Sequence, residues 1–155
     1  VNQMLEYSKL SSGTIPLELE SLQLDELIRR LTPRMSEWFR QKDVTLDLRL
    51  ETVSIQADRL AMERVLSNFI RNAYEASPVG GSITITLTSN RLEVTDEGKG
   101  IDPTVQHSIW DMYVKGDRSN GHGLGLAITK LLLEALGLSY GVDSEKGATF
   151  WIEWT

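Results

Sequence analysis

The chain has 155 residues, 41% of them hydrophobic and 25% charged, which suits one soluble globular domain with its own core and a short extension. It contains no cysteine, so disulfides, thiolate metal sites and cysteine nucleophiles are excluded within it. A formal charge of −6 without a clustered basic face makes nucleic acid a poor partner, and no apolar run approaches the roughly 20 residues that cross a bilayer.

Residues 1–13 read as the end of a helix stopped by Ser11-Ser12-Gly13, with Val1, Leu5 and Ser8 on one side. Isolated helices shorter than about 12–15 residues are marginal, so this stretch is expected to be the tail of a longer helix. The first residue is Val1, and we expect a chain that starts mid-protein or has been processed. A short strand is expected over residues 15–20. A helix follows from Leu22 to Gln41, with Leu24, Leu27, Ile28, Leu31, Met35, Trp38 and Phe39 on its apolar stripe and Pro33 interrupting it. Val44 to Leu50 alternates apolar and polar residues, as a half-buried strand does, and Val53 to Ala57 is a second strand.

Asp58 is placed to cap the next helix, which runs to about Ala76 with Met62, Val65, Leu66, Phe69, Ile70 and Ala73 as its core stripe. After a turn at Pro78-Val79-Gly80-Gly81, Ser82 to Ser89 and Leu92 to Thr95 read as paired strands turning at Asn90-Arg91. Gly98 to Gly121 is irregular, with a short helix expected after Asp102-Pro103. Leu124 to Leu136 is an apolar helix ended by Gly137, and Leu138 to Val142 with Ala148 to Trp154 form a closing hairpin. This order predicts a two-layer α/β sandwich of a mixed, largely antiparallel sheet and about three helices.

Three glycine- or asparagine-bearing clusters and one aromatic stretch carry candidate chemistry. At about 100° per residue, Asn72 lies roughly 90° from the centre of the apolar stripe, with Asn68 and Glu75 further round the same flank. An amide oxygen there suits a hard cation such as Mg²⁺. Two solvated asparagines on a helix rim would look the same. Asp96, at a strand end and followed by Gly98, Gly100 and Ile101, can accept a hydrogen bond from an exocyclic amine; a plain glycine turn is the alternative. Gly121, Gly123 and Gly125 open an apolar helix, where free amides and the macrodipole favour phosphate. A flexible hinge is the alternative there. It is neither a dinucleotide fingerprint nor a P-loop. Between the last two clusters, Ile109, Trp110 and Met112 lead into a small, charged stretch. This has the pattern of a lid, with Lys115 and Arg118 able to meet phosphates, or of a plain surface loop.

In this order the stretches resemble the boxes of the histidine-kinase ATPase domain, of the fold shared with gyrase, Hsp90 and MutL. Asn68 to Pro78 resembles its asparagine box, Asp96 to Ile101 its first glycine box, Ile109 to Lys115 its phenylalanine box, and Gly121 to Leu126 its second glycine box. Lys146-Gly147-Ala148-Thr149-Phe150 is similar to the end of the fold, where a threonine lies near the adenine. The resemblance implies an ATP pocket with a lid between the aromatic box and the second glycine box. It implies Asn72 as the magnesium ligand, Asp96 as the adenine reader, and Gly98, Gly100 and Ile101 beside the ring. Lys115, Arg118, Gly121, Gly123, Leu124, Gly125, Leu126 and Thr149 complete the implied nucleotide contacts. Asn68, Asn72 and Lys115 are the implied catalytic set.

Departures from the family pattern are Glu75 for a frequent lysine, Ala76 for a tyrosine, Trp110 for phenylalanine and His122 for a common threonine. The lid is short. ATP-hydrolysing relatives carry a glutamate four residues before the magnesium asparagine; here that position is Asn68, which has no basic function. The resemblance therefore implies phosphoryl transfer to a histidine in a dimerisation domain, with the rivals a serine kinase or ATPase of the same fold, or a degenerate binding module. His107 and His122 are not suited to be the acceptor. The implied organisation is a dimerisation-helix end and linker over residues 1–13 and a catalytic domain over 14–155. The implied partners are that dimerisation and phosphotransfer domain and a response regulator. The parent is expected to be homodimeric, with this domain in the cytoplasm and an anchor possible elsewhere.

Overall fold

The computed structural model describes residues 7–9, 11–12, 15–111 and 125–155. Its elements are β1 (Leu19–Gln23), α1 (Leu24–Leu31), a 3-10 turn (Thr32–Met35), α2 (Ser36–Lys42), β2 (Thr45–Leu50), β3 (Ser54–Asp58) and α3 (Arg59–Ala76). They continue with β4 (Ser82–Thr88), β5 (Arg91–Thr95), a 3-10 turn (Ser108–Trp110), α4 (Gly125–Leu136), β6 (Ser139–Ser144) and β7 (Ala148–Glu153). Strands β2-β4-β5-β7-β6 form one sheet, and β1 pairs with β3 in a second, two-stranded one. Among the described residues only β2 and β4 run parallel, and every other pairing is antiparallel. The mixed sandwich expected from the sequence is therefore what forms.

One face of the large sheet is apolar by simple alternation. Ile83, Ile85 and Leu87 of β4, Leu92 and Val94 of β5, and Phe150 and Ile152 of β7 are all buried. Against them lies α3, whose stripe Met62, Val65, Leu66, Phe69, Ile70 and Ala73 is fully buried. An aromatic cluster closes the interior: Phe69 lies 5.4 Å from Phe150 between ring centroids, and Trp110 stands edge-on to both, at 6.3 and 5.7 Å.

Helix α3 is fixed at both ends. Asp58 caps it as expected, Oδ1 accepting from the Ala61 amide at 2.8 Å. Its other oxygen accepts from the Glu18 amide at 2.8 Å, so the segment entering the domain is tied to the helix start. At the far end, Lys42 Nζ donates to the Tyr74 carbonyl at 2.9 Å and lies 5.0 Å from the Tyr74 ring centroid. A cation there suits the negative end of the helix dipole.

Four expectations shift. The first strand spans Leu19–Gln23 rather than 15–20, because pairing Leu22 with Ile55 of β3 buries Leu22, which the helical reading had claimed. The helix expected from Leu22 to Gln41 divides into α1 and α2 with a 3-10 turn across Pro33, which has no amide to donate. That change of pitch turns Trp38 outward, 38% exposed against Tyr74, so it is not on the core stripe. After Pro103 the chain forms turns and then a 3-10 turn, not an α-helix; Asp102 Oδ1 takes the Thr104 amide and hydroxyl at 2.9 Å each. With the first helix divided, the described residues hold four α-helices of seven residues or more, in keeping with the about three expected.

Asp25 is a buried carboxylate that joins the two ends of this region. It accepts from the Val53 amide at 3.3 Å, from Gln23 at 3.3 Å and from Arg29 at 3.3 Å. Burial alone would raise its pKa, but the Val53 and Gln23 hydrogen bonds, its own backbone amide and the Arg29 charge outweigh this and hold it below the ordinary value of 3.8. A depressed carboxylate contributes stability that is full above the unfolded pKa and is lost as pH falls through the folded one. Asp25→Asn is therefore expected to cost about 1–3 kcal/mol at pH 7. The deficit against the parent, followed by urea denaturation, should narrow as the pH is taken below 3.8.

Candidate functional site

Helix α3 is the common wall of the candidate site. Its buried stripe faces the sheet, and its amide-bearing flank carries Asn68 and, one turn on, Asn72. Asn72 is 9% exposed, and its Nδ2 is buried without a hydrogen-bond partner. Among the described residues, only Trp151 Nε1 shares that condition. An unpaired buried amide costs about 1–3 kcal/mol unless something outside the chain completes it.

Asn68 is engaged differently. Its Nδ2 donates to the Gly125 carbonyl at 3.2 Å and to Thr129 Oγ1 at 2.9 Å, and Thr129 Oγ1 donates in turn to the Gly125 carbonyl at 2.8 Å. The start of α4 is thereby bound to the middle of α3. Leu126 follows directly and packs on the core.

The loop after β5 folds onto the C-terminal end of α3. Asp96 is 3% exposed, and its Oδ1 accepts from the Gly98 amide at 2.8 Å and the Ala148 amide at 3.3 Å. The Asp96 amide donates to the Ala148 carbonyl at 2.9 Å. The carboxylate is thus held by the chain it shapes. Next to it, on the outer face of the sheet, Thr95 and Thr149 share a hydrogen bond of 3.0 Å across paired strands. Ile101 is buried, and its amide donates to Ser144 Oγ at 2.7 Å.

The glycines of this loop already have protein neighbours. A Cβ on Gly98 would lie 2.5 Å from the Ala76 carbonyl oxygen. Gly100 has φ +79°, and a Cβ there would lie 2.5 Å from Ser144 Oγ. Ala76, where the family often has tyrosine, is the residue that Gly98 approaches. Gly147, absent from the expected site set, is as constrained: a Cβ would be driven into the Asp96 carbonyl oxygen. Its position in the closing turn was visible in the sequence, but its contact with Asp96 joins residues far apart in the chain.

Ile109 and Trp110 are buried, and Trp110 stands 4.9 Å from Tyr140, edge to face. Burial and the Glu134 carboxylate, which accepts the Tyr140 hydroxyl at 3.0 Å, push that phenol up to about 12. Glu75, the acid in place of a base, lies 3.9 Å from Arg71 one turn back, so its charge has a local counterion. Lys115, Arg118, Gly121, Gly123 and Leu124, with the expected lid and His122, lie outside the described residues. Asn68, Asn72, Asp96, Gly98, Ala76 and Gly125 are brought together around α3. Gly100 and Ile101 join them through Ser144 of the closing hairpin, whereas Thr149, expected in the site, points to the outer face of the sheet and pairs with Thr95. No group of three or more carboxylate, histidine or cysteine side chains able to hold a metal occurs among the described residues.

A helix-backed sheet with amides on one helix flank, a clamped carboxylate at a strand end and a helix start bound opposite defines an α/β nucleotide-binding domain. The family described as histidine kinase-, DNA gyrase B-, and HSP90-like ATPase matches residues 57–155. The heme sensor protein HssS of Staphylococcus saprophyticus is 32% identical over 140 residues, covering 86% of this chain and 30% of that protein. ShkA, solved with AMPPNP, superposes with a TM-score of 0.89 at 29% identity, over 98% of this chain and 34% of that one. The catalytic domain of histidine kinase ThkA gives 0.80 at 28% identity, over 88% and 95%. ThkA in complex with the response regulator TrrA gives 0.82 at 27% identity, over 97% and 44%. The chain belongs to this ATPase family, as an ATP-binding catalytic domain of the sensor histidine kinase type. It spans about a fifth to a third of the length of the curated relatives it matches. No helix among the described residues is long and apolar enough to cross a membrane.

Gly147→Ala should be among the costliest small changes in this region. Backbone displaced from Asp96 is expected to lower stability by about 1–3 kcal/mol in thermal or chemical denaturation. Gly137→Ala, at a helix end with no neighbour within 4 Å of the new methyl, should carry only the smaller cost of its φ of +74°.

Proposed function

We propose that this chain binds ATP with Mg²⁺ and presents the γ-phosphoryl group to a histidine in a dimerisation domain of the same protein. The observation that carries this reading is Asn72, a buried amide whose nitrogen has no partner, on α3 between Asn68, which meets the α4 start, and Ala76, which meets the Asp96 loop. Which end of an amide is oxygen is an assignment, and rotation by half a turn exchanges the two. With its oxygen turned to that side, Asn72 would supply one ligand to Mg²⁺, which takes few protein ligands and fills its shell with water and phosphate oxygens. Bound there, the ion would neutralise charge on the transferring group.

The other roles follow from chemistry. Asp96 accepts from the exocyclic amine of adenine, with Gly98, Gly100 and Ile101 around the base; Thr149, on the outer face of the sheet against Thr95, takes no part. The start of α4, from Gly125 and Leu126, offers amides toward phosphate, joined by Gly121, Gly123 and Leu124. Lys115 and Arg118 add positive charge. Asn68 favours transfer over hydrolysis, since an amide cannot take a proton from water, and its nitrogen is committed to Gly125 and Thr129. The Arg71–Glu75 pair supports an active site over a degenerate one, because the acid is locally balanced.

Residues 1–13 are read as the end of the dimerisation helix and its linker, and residues 14–155 as the catalytic domain. The parent is a homodimer that passes its phosphoryl group to a response regulator, as the ThkA–TrrA complex suggests by analogy. The domain works on the cytoplasmic side, whether or not the parent is anchored.

Calorimetric titration with AMPPNP and Mg²⁺ tests the site. Asp96→Asn should weaken binding by about 10–100-fold, as expected for a charged hydrogen bond of roughly 1.5–3 kcal/mol. Asn72→Ala should remove the dependence on Mg²⁺. Undiminished binding by Asp96→Asn would refute the adenine assignment. Mixing the chain with the parent's dimerisation domain and ATP should yield acid-labile phosphate; acid-stable phosphate would point to a serine kinase.

A further inference from the structure

We propose that Ser144 is a positioning residue for the base end of the site, setting the Asp96 carboxylate through the Gly147–Ala148 peptide; this rests on the reading above that Asp96 meets the adenine amine. Ser144 follows Tyr140 and Val142 on the core-facing side of β6 and is half-buried. Its hydroxyl is engaged both as acceptor and as donor. It accepts from the Ile101 amide at 2.7 Å and donates to the Gly147 carbonyl at 3.0 Å. Ile101 is also held from its other side, its carbonyl accepting from Gln106 Nε2 at 3.1 Å. The hydroxyl has room because residue 100 is glycine: a Cβ there would lie 2.5 Å from Ser144 Oγ.

The Gly147 carbonyl and the Ala148 N–H belong to one peptide group, and a peptide group is planar. Ser144 holds the carbonyl side of that plane, and the N–H side donates to Asp96 Oδ1 at 3.3 Å. The result is one run of hydrogen bonds, from the Ile101 amide through the Ser144 hydroxyl and the 147–148 peptide to the carboxylate. Links in such a chain polarise one another, so the long bond to Asp96 is strengthened by the two before it. Glycine at 147 would otherwise leave the plane loosely held. The Gly98 amide reaches the same Oδ1 at 2.8 Å, so two amides set the carboxylate, and one of them comes from outside its own loop. Ser144 governs that one. It thereby ties Asp96 to Gly100 and Ile101, the residues read as lying beside the same base. Orientation fixed before a ligand arrives lowers the cost of binding it.

The distinguishing variant is Ser144→Ala, which removes the hydroxyl and little else. ATP and inosine triphosphate carry the same phosphates and differ at the base edge, where inosine has an oxo group in place of the amine. Calorimetric titration of both with Mg²⁺ should show Ser144→Ala weakening ATP about fivefold and inosine triphosphate less than about twofold, so that the preference for ATP narrows. A merely structural role would move the two nucleotides together. Equal losses for both, or no loss for either, would overturn the proposal. Amide hydrogen exchange without nucleotide supplies a readout independent of the ATP reading. The Ile101 amide, which loses its acceptor, and the Ala148 amide should exchange several-fold faster in Ser144→Ala, with the amides of β4 unchanged. Unchanged exchange at Ala148 would overturn the link to Asp96 even if ATP binding falls. A parent chain that binds neither nucleotide, or both equally, but shows the exchange difference would refute the adenine reading of Asp96 and bear out the link from Ser144 to it.

Discussion

Helix α3 has to serve two masters, and the angle between its two faces sets the rest of the structure. Its apolar stripe is pressed on the sheet, with six side chains fully buried. That packing leaves no rotational freedom about the helix axis, so the amides a quarter turn away are aimed by the core. Rotating α3 to move Asn72 would expose Phe69 or Ile70, at a cost of about 1.5–3 kcal/mol for each large side chain. The Asp96 loop and the start of α4 then dock on a wall that cannot shift.

The loop that supplies Asp96 obeys a similar constraint on a smaller scale. A buried carboxylate must be satisfied, and this one takes amides from Gly98 and Ala148. Those bonds pull the closing hairpin against the end of β5 so closely that position 147 has no room for a side chain. Glycines that a sequence reading assigns to a ligand are therefore required first by the protein itself. Any approach of a ring comes after the backbone has been brought this close to its own neighbours.

This explains what could and could not be read from the residues. The stripe of α3, its Asp58 cap and the alternation of β4 were legible because they depend on neighbours three, four or two positions away. The asparagine and glycine clusters were legible as chemistry, and their order carried the family resemblance. What was hidden depends on distant partners. Leu22 fits a helical period, but pairing with Ile55 takes it into a strand. Trp38 fits the stripe until the 3-10 turn at Pro33 changes the pitch. Thr129 looks like one polar interruption in an apolar helix, because its partner Asn68 is 61 positions away.

Asp58 has one more implication. One oxygen holds the first turn of α3 and the other holds the backbone at Glu18, while Arg59 and Glu20 bridge the same junction at 3.1 Å. The incoming segment is consequently coupled to α3 end-on, as a rod is gripped at its tip. A pull or twist at Glu18 therefore bears on the start of the asparagine-bearing helix without passing through the five-stranded sheet. The Asp58 carboxylate, the Arg59–Glu20 pair and the β1–β3 ladder share that load.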